Sequence, residues 1–120
     1  MKKTTAKPKI SRDLHLVSSD TPWGKAQTAE DVAPGIVRYS TASHGGYRLS
    51  SALNAKVAPV LKKATCAGLG SQGWYEEDCD WAIVVYTFKE YFDPPDYKAA
   101  VETLKQHHAE PWKQLLKNAK

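Results

Sequence analysis

The residues best equipped for chemistry are crowded into one stretch, Trp74-Tyr75-Glu76-Glu77-Asp78-Cys79-Asp80. Carboxylates packed this closely cannot all ionise cheaply, so one of them can titrate high and serve as a proton donor. The natural partner is His44, which precedes Gly45-Gly46. Two residues without side chains let a ligand or another backbone come close. An acid/base pair of His44 with a carboxylate from Glu76, Glu77 or Asp78 is therefore one expectation. It requires the imidazole and the carboxylate to lie within hydrogen-bond reach beside a cleft.

Other chemistries fit less well. Cys79 stands among acidic neighbours, which disfavour the thiolate and raise the thiol pKa, a poor setting for a nucleophile. The four histidines (His15, His44, His107, His108) and two cysteines (Cys66, Cys79) form no C-x-x-C or H-x-x-x-H pattern. The acidic run lacks the ligand spacing of a calcium loop. No metal and no cofactor is expected. His107 and His108, adjacent in sequence, point about 100° apart on a helix and read as surface residues. Gly68, Gly70 and Gly73 do not make a phosphate-binding loop that opens a βαβ unit.

The elements that must position these residues read as an α+β fold, a small antiparallel β-meander packed against several C-terminal helices. Pro34-Gly35 marks a turn, followed by a strand over Ile36 to Thr41 with Val37 and Tyr39 on one face. Gly45-Gly46 reads as a second turn, with Tyr47-Arg48-Leu49 returning. Ser50 or Ser51 caps a helix carrying Leu53, Val57, Val60 and Leu61, which Pro59 breaks or restarts. Residues 67–73 read as a loop. The stretch from Trp74 to Phe92 is ambiguous. Trp81 to Phe88 is rich in strand formers, but carboxylates in front of it suit the positive end of a helix. The helical reading puts Glu76, Asp80, Thr87 and Tyr91 on a wetter face and Cys79, Ile83 and Tyr86 inward. Asp93-Pro94-Pro95-Asp96 stops the chain. Helices then follow from Asp96 to His107, with Tyr97, Ala100, Val101 and Leu104 as a stripe, and from Glu110 onward with Trp112, Leu115 and Leu116.

Charge separates the chain into two parts. The net charge is +4. Lys2, Lys3, Lys7, Lys9 and Arg12 lie in a segment with no acidic residue, which leaves 12 basic against 13 acidic residues, net −1, in 13–120. Residues 1–19 read as a flexible basic tail and 20–120 as one α+β domain. The near-neutral body is a poor electrostatic nucleic-acid binder, while the tail can bind polyanions weakly by counterion release. The apolar run Trp81 to Phe88 is far short of the roughly 20 residues of a membrane helix, and no apolar segment follows the N-terminal lysines. A cytoplasmic protein is expected.

Three motifs, Thr21-Pro22-Trp23-Gly24, Ser43-His44-Gly45-Gly46 with Leu49-Ser50, and Gly73 to Ile83 with its WYEEDC string, resemble an uncharacterised domain family of bacterial, plasmid and phage proteins. The resemblance spans roughly residues 21–118. It implies no catalytic residue, but it does imply a setting among accessory genes of mobile elements. With small size and a near-neutral body, this points first to a non-catalytic interaction protein. The expectation is an inhibitor of a host defence system such as CRISPR or restriction. Its partner-binding surface is expected at His44, Tyr47, Trp74, Tyr75, Glu76 and Glu77, where aromatics flanked by carboxylates suit a basic partner. The partner is expected to be a host or phage protein, including nucleic-acid-binding defence components. The acid/base enzyme and nucleic-acid binding through the tail stand as alternatives.

Overall fold

A computed structural model describes residues 20–118; the expected basic tail lies outside the described residues. The architecture is α+β. A two-stranded ribbon, β1 (Asp20–Thr21) and β2 (Gly24–Lys25), precedes a four-stranded antiparallel sheet in the order β3-β4-β5-β6. Its strands are β3 (Thr28–Ala33), β4 (Ile36–Ser40), β5 (Gly45–Leu49) and β6 (Trp74–Glu76). Between β5 and β6 run α1 (Ser51–Asn54), α2 (Pro59–Lys63) and a 3-10 segment, Cys66–Gln72. After β6 come α3 (Trp81–Thr87), a 3-10 turn at Lys89–Tyr91, α4 (Pro94–His107) and α5 (Ala109–Asn118).

The hairpin β3-β4 turns at Pro34-Gly35, where Gly35 takes φ +88°, a conformation that side chains resist. Strand alternation then sorts the residues. Ile36, Tyr47, Leu49 and Tyr75 enter the main core with Leu61, Ile83, Val84, Phe88, Ala100 and Leu104, between one sheet face and the helices. Val37, Tyr39 and Trp74 form a smaller core on the opposite face, with Trp23, Ala26, Ala29 and Leu69 packed on it. Trp74 holds that side together. Trp23 and Tyr39 each lie 5.5 Å from its ring, and the Arg48 guanidinium sits 4.5 Å over it.

Two elements differ from the sequence expectation. Gly45-Gly46 is not a turn but the start of β5; the turn is the polar segment before it. There Thr41 Oγ1 donates to the His44 carbonyl (2.7 Å) and accepts from the His44 N–H (3.0 Å). The glycines are needed because the sheet is tight here. A Cβ on Gly45 would lie 2.7 Å from the Tyr39 carbonyl oxygen, and one on Gly46 would lie 2.3 Å from that of Tyr75.

The second difference concerns 74–92, which is not one helix. Trp74, Tyr75 and Glu76 pair with Arg48, Tyr47 and Gly46, residues 77–80 form a turn, and the helix begins at Trp81. Period-two alternation, with Trp74 on one face and Tyr75 on the other, is what lets this segment complete both cores. The expected wet face accordingly fails at Asp80, which is buried, whereas Ile83 points inward as expected.

The helices follow local rules more closely. Ser50 caps α1, its hydroxyl accepting from Leu53 N–H (3.3 Å), and Pro59 restarts the chain as α2. Asn54 is buried: its amide donates to the Gly70 carbonyl (2.8 Å) and its oxygen accepts from the Tyr75 hydroxyl (2.5 Å), tying α1, the 3-10 segment and β6 together. Pro94 and Pro95 open α4, two residues earlier than expected. Trp112 of α5 packs edge-on at 5.4 Å from Tyr86 of α3, which stacks at 6.0 Å on Tyr97 of α4. No helix among the described residues is long and apolar enough to cross a membrane.

Candidate functional site

The β4-β5 turn and the β6-α3 turn meet at one end of the sheet. Pairing of Gly46 with Glu76 and a hydrogen bond from Glu77 N–H to the Gly45 carbonyl (2.9 Å) bring them into register. His44 is thereby placed over the acidic turn. Its Nδ1 lies 3.3 Å from Glu76 Oε2 and 3.7 Å from Glu77 Oε2. Asp78 completes the corner: single donor atoms of His44, Glu76 and Asp78 all lie within 4.8 Å of one another. The Glu76 side chain is only 13 % exposed, against 44 % for His44 and 51 % for Glu77. Glu76 is thus the anchored member and the others are open to solvent.

A cleft of about 410 Å³ adjoins the corner, lined by Glu30, Arg38, Tyr47, Glu77 and Trp81 among others. Glu77 belongs to both features, since its carboxylate lies near His44 and the residue is part of the cleft lining. Arg38 pairs with Glu30 across the β3-β4 hairpin. Burial pushes the Tyr47 phenol above its ordinary range, partly offset by the Arg38 guanidinium.

The two thiols are electrostatically restrained. The negative charge of Glu76 raises the exposed Cys66 thiol, with a smaller effect of burial and a hydrogen bond to that carboxylate. Burial, then the charge of Asp80, raises Cys79. The expectation that acidic neighbours make Cys79 a poor nucleophile agrees with these directions.

Three residues expected on the partner surface lie elsewhere. Tyr75 is fully buried in the main core and Trp74 in the smaller one. Tyr47 packs edge-on against Phe92 (5.9 Å) and reaches only the cleft wall. Strand geometry explains this correction: on a paired β6, both faces are covered. His44, Glu76 and Glu77 remain together as expected.

His108 corrects another expectation, since it is not a surface residue. Its side chain is 10 % exposed, and its Nε2 lies 3.2 Å from Asp80 Oδ1, while Asp80 Oδ2 accepts from Cys66 N–H at 2.8 Å. Asp80 thus ties the start of α3 to the 3-10 segment and to the α4-α5 junction, a structural rather than a surface role. Sequence reasoning also missed Cys66, Arg38 and Trp81 as neighbours of the site. Only the fold brings them there, although the thiol and the guanidinium were visible as residue types.

No curated protein and no solved structure matches the chain. A domain family of unknown function, DUF7007, matches residues 17–120. The motifs around the site lie within that span, and the match covers nearly all of the sequence, so the chain belongs to the DUF7007 family.

Proposed function

We propose that this protein is a small, non-catalytic interaction protein that engages a basic surface of a host or phage protein through the corner of His44, Glu76, Glu77 and Asp78. The observation that carries the reading is the convergence of three carboxylates on one imidazole, held by turns that the sheet fixes in place. The rest of the described surface offers little apolar alternative. Leu116 is the one large hydrophobic side chain exposed among the described residues. Binding energy must then come from charge and hydrogen bonds, which favour a basic partner and a salt-sensitive association. Proteins that handle nucleic acid present basic grooves, so a component of a defence system such as CRISPR or restriction is a suitable partner class.

A second reading draws on a separate observation. The 3.3 Å approach of His44 to Glu76 is that of an acid/base pair, and Glu77, 3.7 Å from the same imidazole, lines a nearby cleft. Under that reading a small polar substrate occupies the cleft, and Arg38 and Glu77 hold its ends.

One comparison separates the two. The wild-type chain and a Glu77→Lys/Asp78→Lys variant serve as baits in affinity capture from the native cell. Capture that falls at least about tenfold in the folded variant supports the interaction reading. Undiminished capture contradicts it. A bait that holds no partner but turns over a small substrate, with activity lost on His44→Ala, puts the enzyme reading in its place.

A further inference from the structure

We infer that His44, Glu76 and Asp78 form a binding site for one divalent transition-metal ion of the zinc type, with at least one coordination position left open. The donors are an imidazole nitrogen and two carboxylate oxygens, all within 4.8 Å of one another. They come from the β4-β5 turn (His44), the end of β6 (Glu76) and the turn after it (Asp78), so the site is a product of the fold rather than of a run of acidic residues. In a tetrahedral zinc site with bonds of about 2.0–2.1 Å, neighbouring ligand atoms stand about 3.3–3.4 Å apart. His44 Nδ1 and Glu76 Oε2 already stand 3.3 Å apart. Asp78 is exposed on its turn, so rotation of its side chain can shorten the longer edges without moving backbone.

The surroundings support the choice of ion. An imidazole ligand selects zinc, nickel or cobalt over magnesium and calcium, which take oxygen ligands almost alone. Glu77 stands at 3.7 Å from the His44 ring and also lines the cleft, whereas the three ligands themselves do not, so the open position of the ion faces solvent with the cleft one residue away.

The backbone of the site is firm. Thr41 fixes the His44 turn by two hydrogen bonds, and the Glu77 N–H fixes the acidic turn to Gly45. Binding therefore needs little more than side-chain ordering, which keeps its entropic cost low. The ion also relieves the mutual repulsion of the carboxylates. It would neutralise carboxylates offered to a basic partner, so occupancy and partner binding oppose each other. The inference itself needs no partner and stands apart from that reading.

The test is calorimetric titration of Zn²⁺ into the full chain, with Mg²⁺ as comparator and His44→Ala, Asp78→Asn and His107→Ala as variants. The expected result is one Zn²⁺ per chain, a preference over Mg²⁺, and affinity reduced more than about tenfold in His44→Ala and Asp78→Asn. His107→Ala binds as the wild type does. In the cobalt-substituted protein, visible ligand-field bands of the wild type that disappear in His44→Ala report imidazole coordination directly. No Zn²⁺ binding, or binding unchanged in His44→Ala and Asp78→Asn, overturns the inference. Because the titration contains no partner, a failed metal site and a failed partner surface are distinguished.

Discussion

Replacing Asp80 by alanine is expected to destabilise the protein by about 3 kcal/mol, the cost of losing a buried carboxylate that makes two charge-assisted hydrogen bonds. Asp80 is 4 % exposed and serves two elements that are distant in sequence. One oxygen accepts from Cys66 N–H at 2.8 Å and the other lies 3.2 Å from His108 Nε2. Alanine removes both of these part-buried hydrogen bonds and opens space at the start of α3. For a domain of this size the melting temperature falls by more than about 10 °C. Asp80→Asn keeps an oxygen that can accept from Cys66 N–H, so it should lose about half as much. Thermal unfolding followed by circular dichroism measures both. Equal losses in the two variants would show that charge, rather than the hydrogen bond to Cys66, carries the stabilisation.

The second large effect is expected at Gly46, where Gly46→Ala should cost about 3 kcal/mol through overpacking against backbone. The new Cβ would stand 2.3 Å from the Tyr75 carbonyl oxygen, 2.7 Å from the Trp23 ring and 3.0 Å from Glu76 Cα. Two of these contacts belong to the backbone of β6, so relief requires β5 and β6 to separate. Glu76 is paired with Gly46, so that separation also draws its carboxylate away from His44. Gly68 provides the comparison. Its φ is +68°, but nothing lies within 4 Å of its Cβ position. Gly68→Ala therefore bears only left-handed strain, about 1–2 kcal/mol. Chemical denaturation of the two variants should rank Gly46→Ala as the more costly. A smaller loss at Gly46 than at Gly68 would mean that β6 yields easily and does not hold the site.

These variants also mark where the sequence was legible. Pro34-Gly35, the alternation of Ile36 to Thr41, the Ser50 cap, the Pro59 restart and the Asp93-Pro94-Pro95 boundary act through neighbours in the chain, and the elements they predict are present. Trp74–Glu76 is harder to read because a strand of three residues leaves too little alternation to recognise. Its identity is decided by Arg48, Tyr47 and Gly46, which precede it by some thirty residues. The carboxylates that suggested the positive end of a helix instead form a turn before one.

The site was legible in part for the same reason. His44 and the acidic run stood out as residue types, and the fold does bring them together. Their aromatic neighbours misled, because Trp74 and Tyr75 face opposite sides of a strand that is covered on both. His108 and the Cys66 N–H as partners of Asp80 depend on contacts between distant segments, which no local pattern encodes.

The corner differs from acidic residues elsewhere on the surface. Glu102 and Glu110 each lie beside a lysine one helical turn away, which offsets their charge. Glu76 and Glu77 face an imidazole, and Asp78 stands with them. The most direct test of the corner as a cation-recognition site is titration of ¹⁵N-labelled protein with a short oligoarginine peptide at low salt, read by amide chemical shifts. The account predicts that the largest shifts fall on His44 to Gly46 and Glu76 to Cys79 and fade as salt is raised. Shifts concentrated instead on α4 or α5, around Glu102 or Glu110, would contradict it.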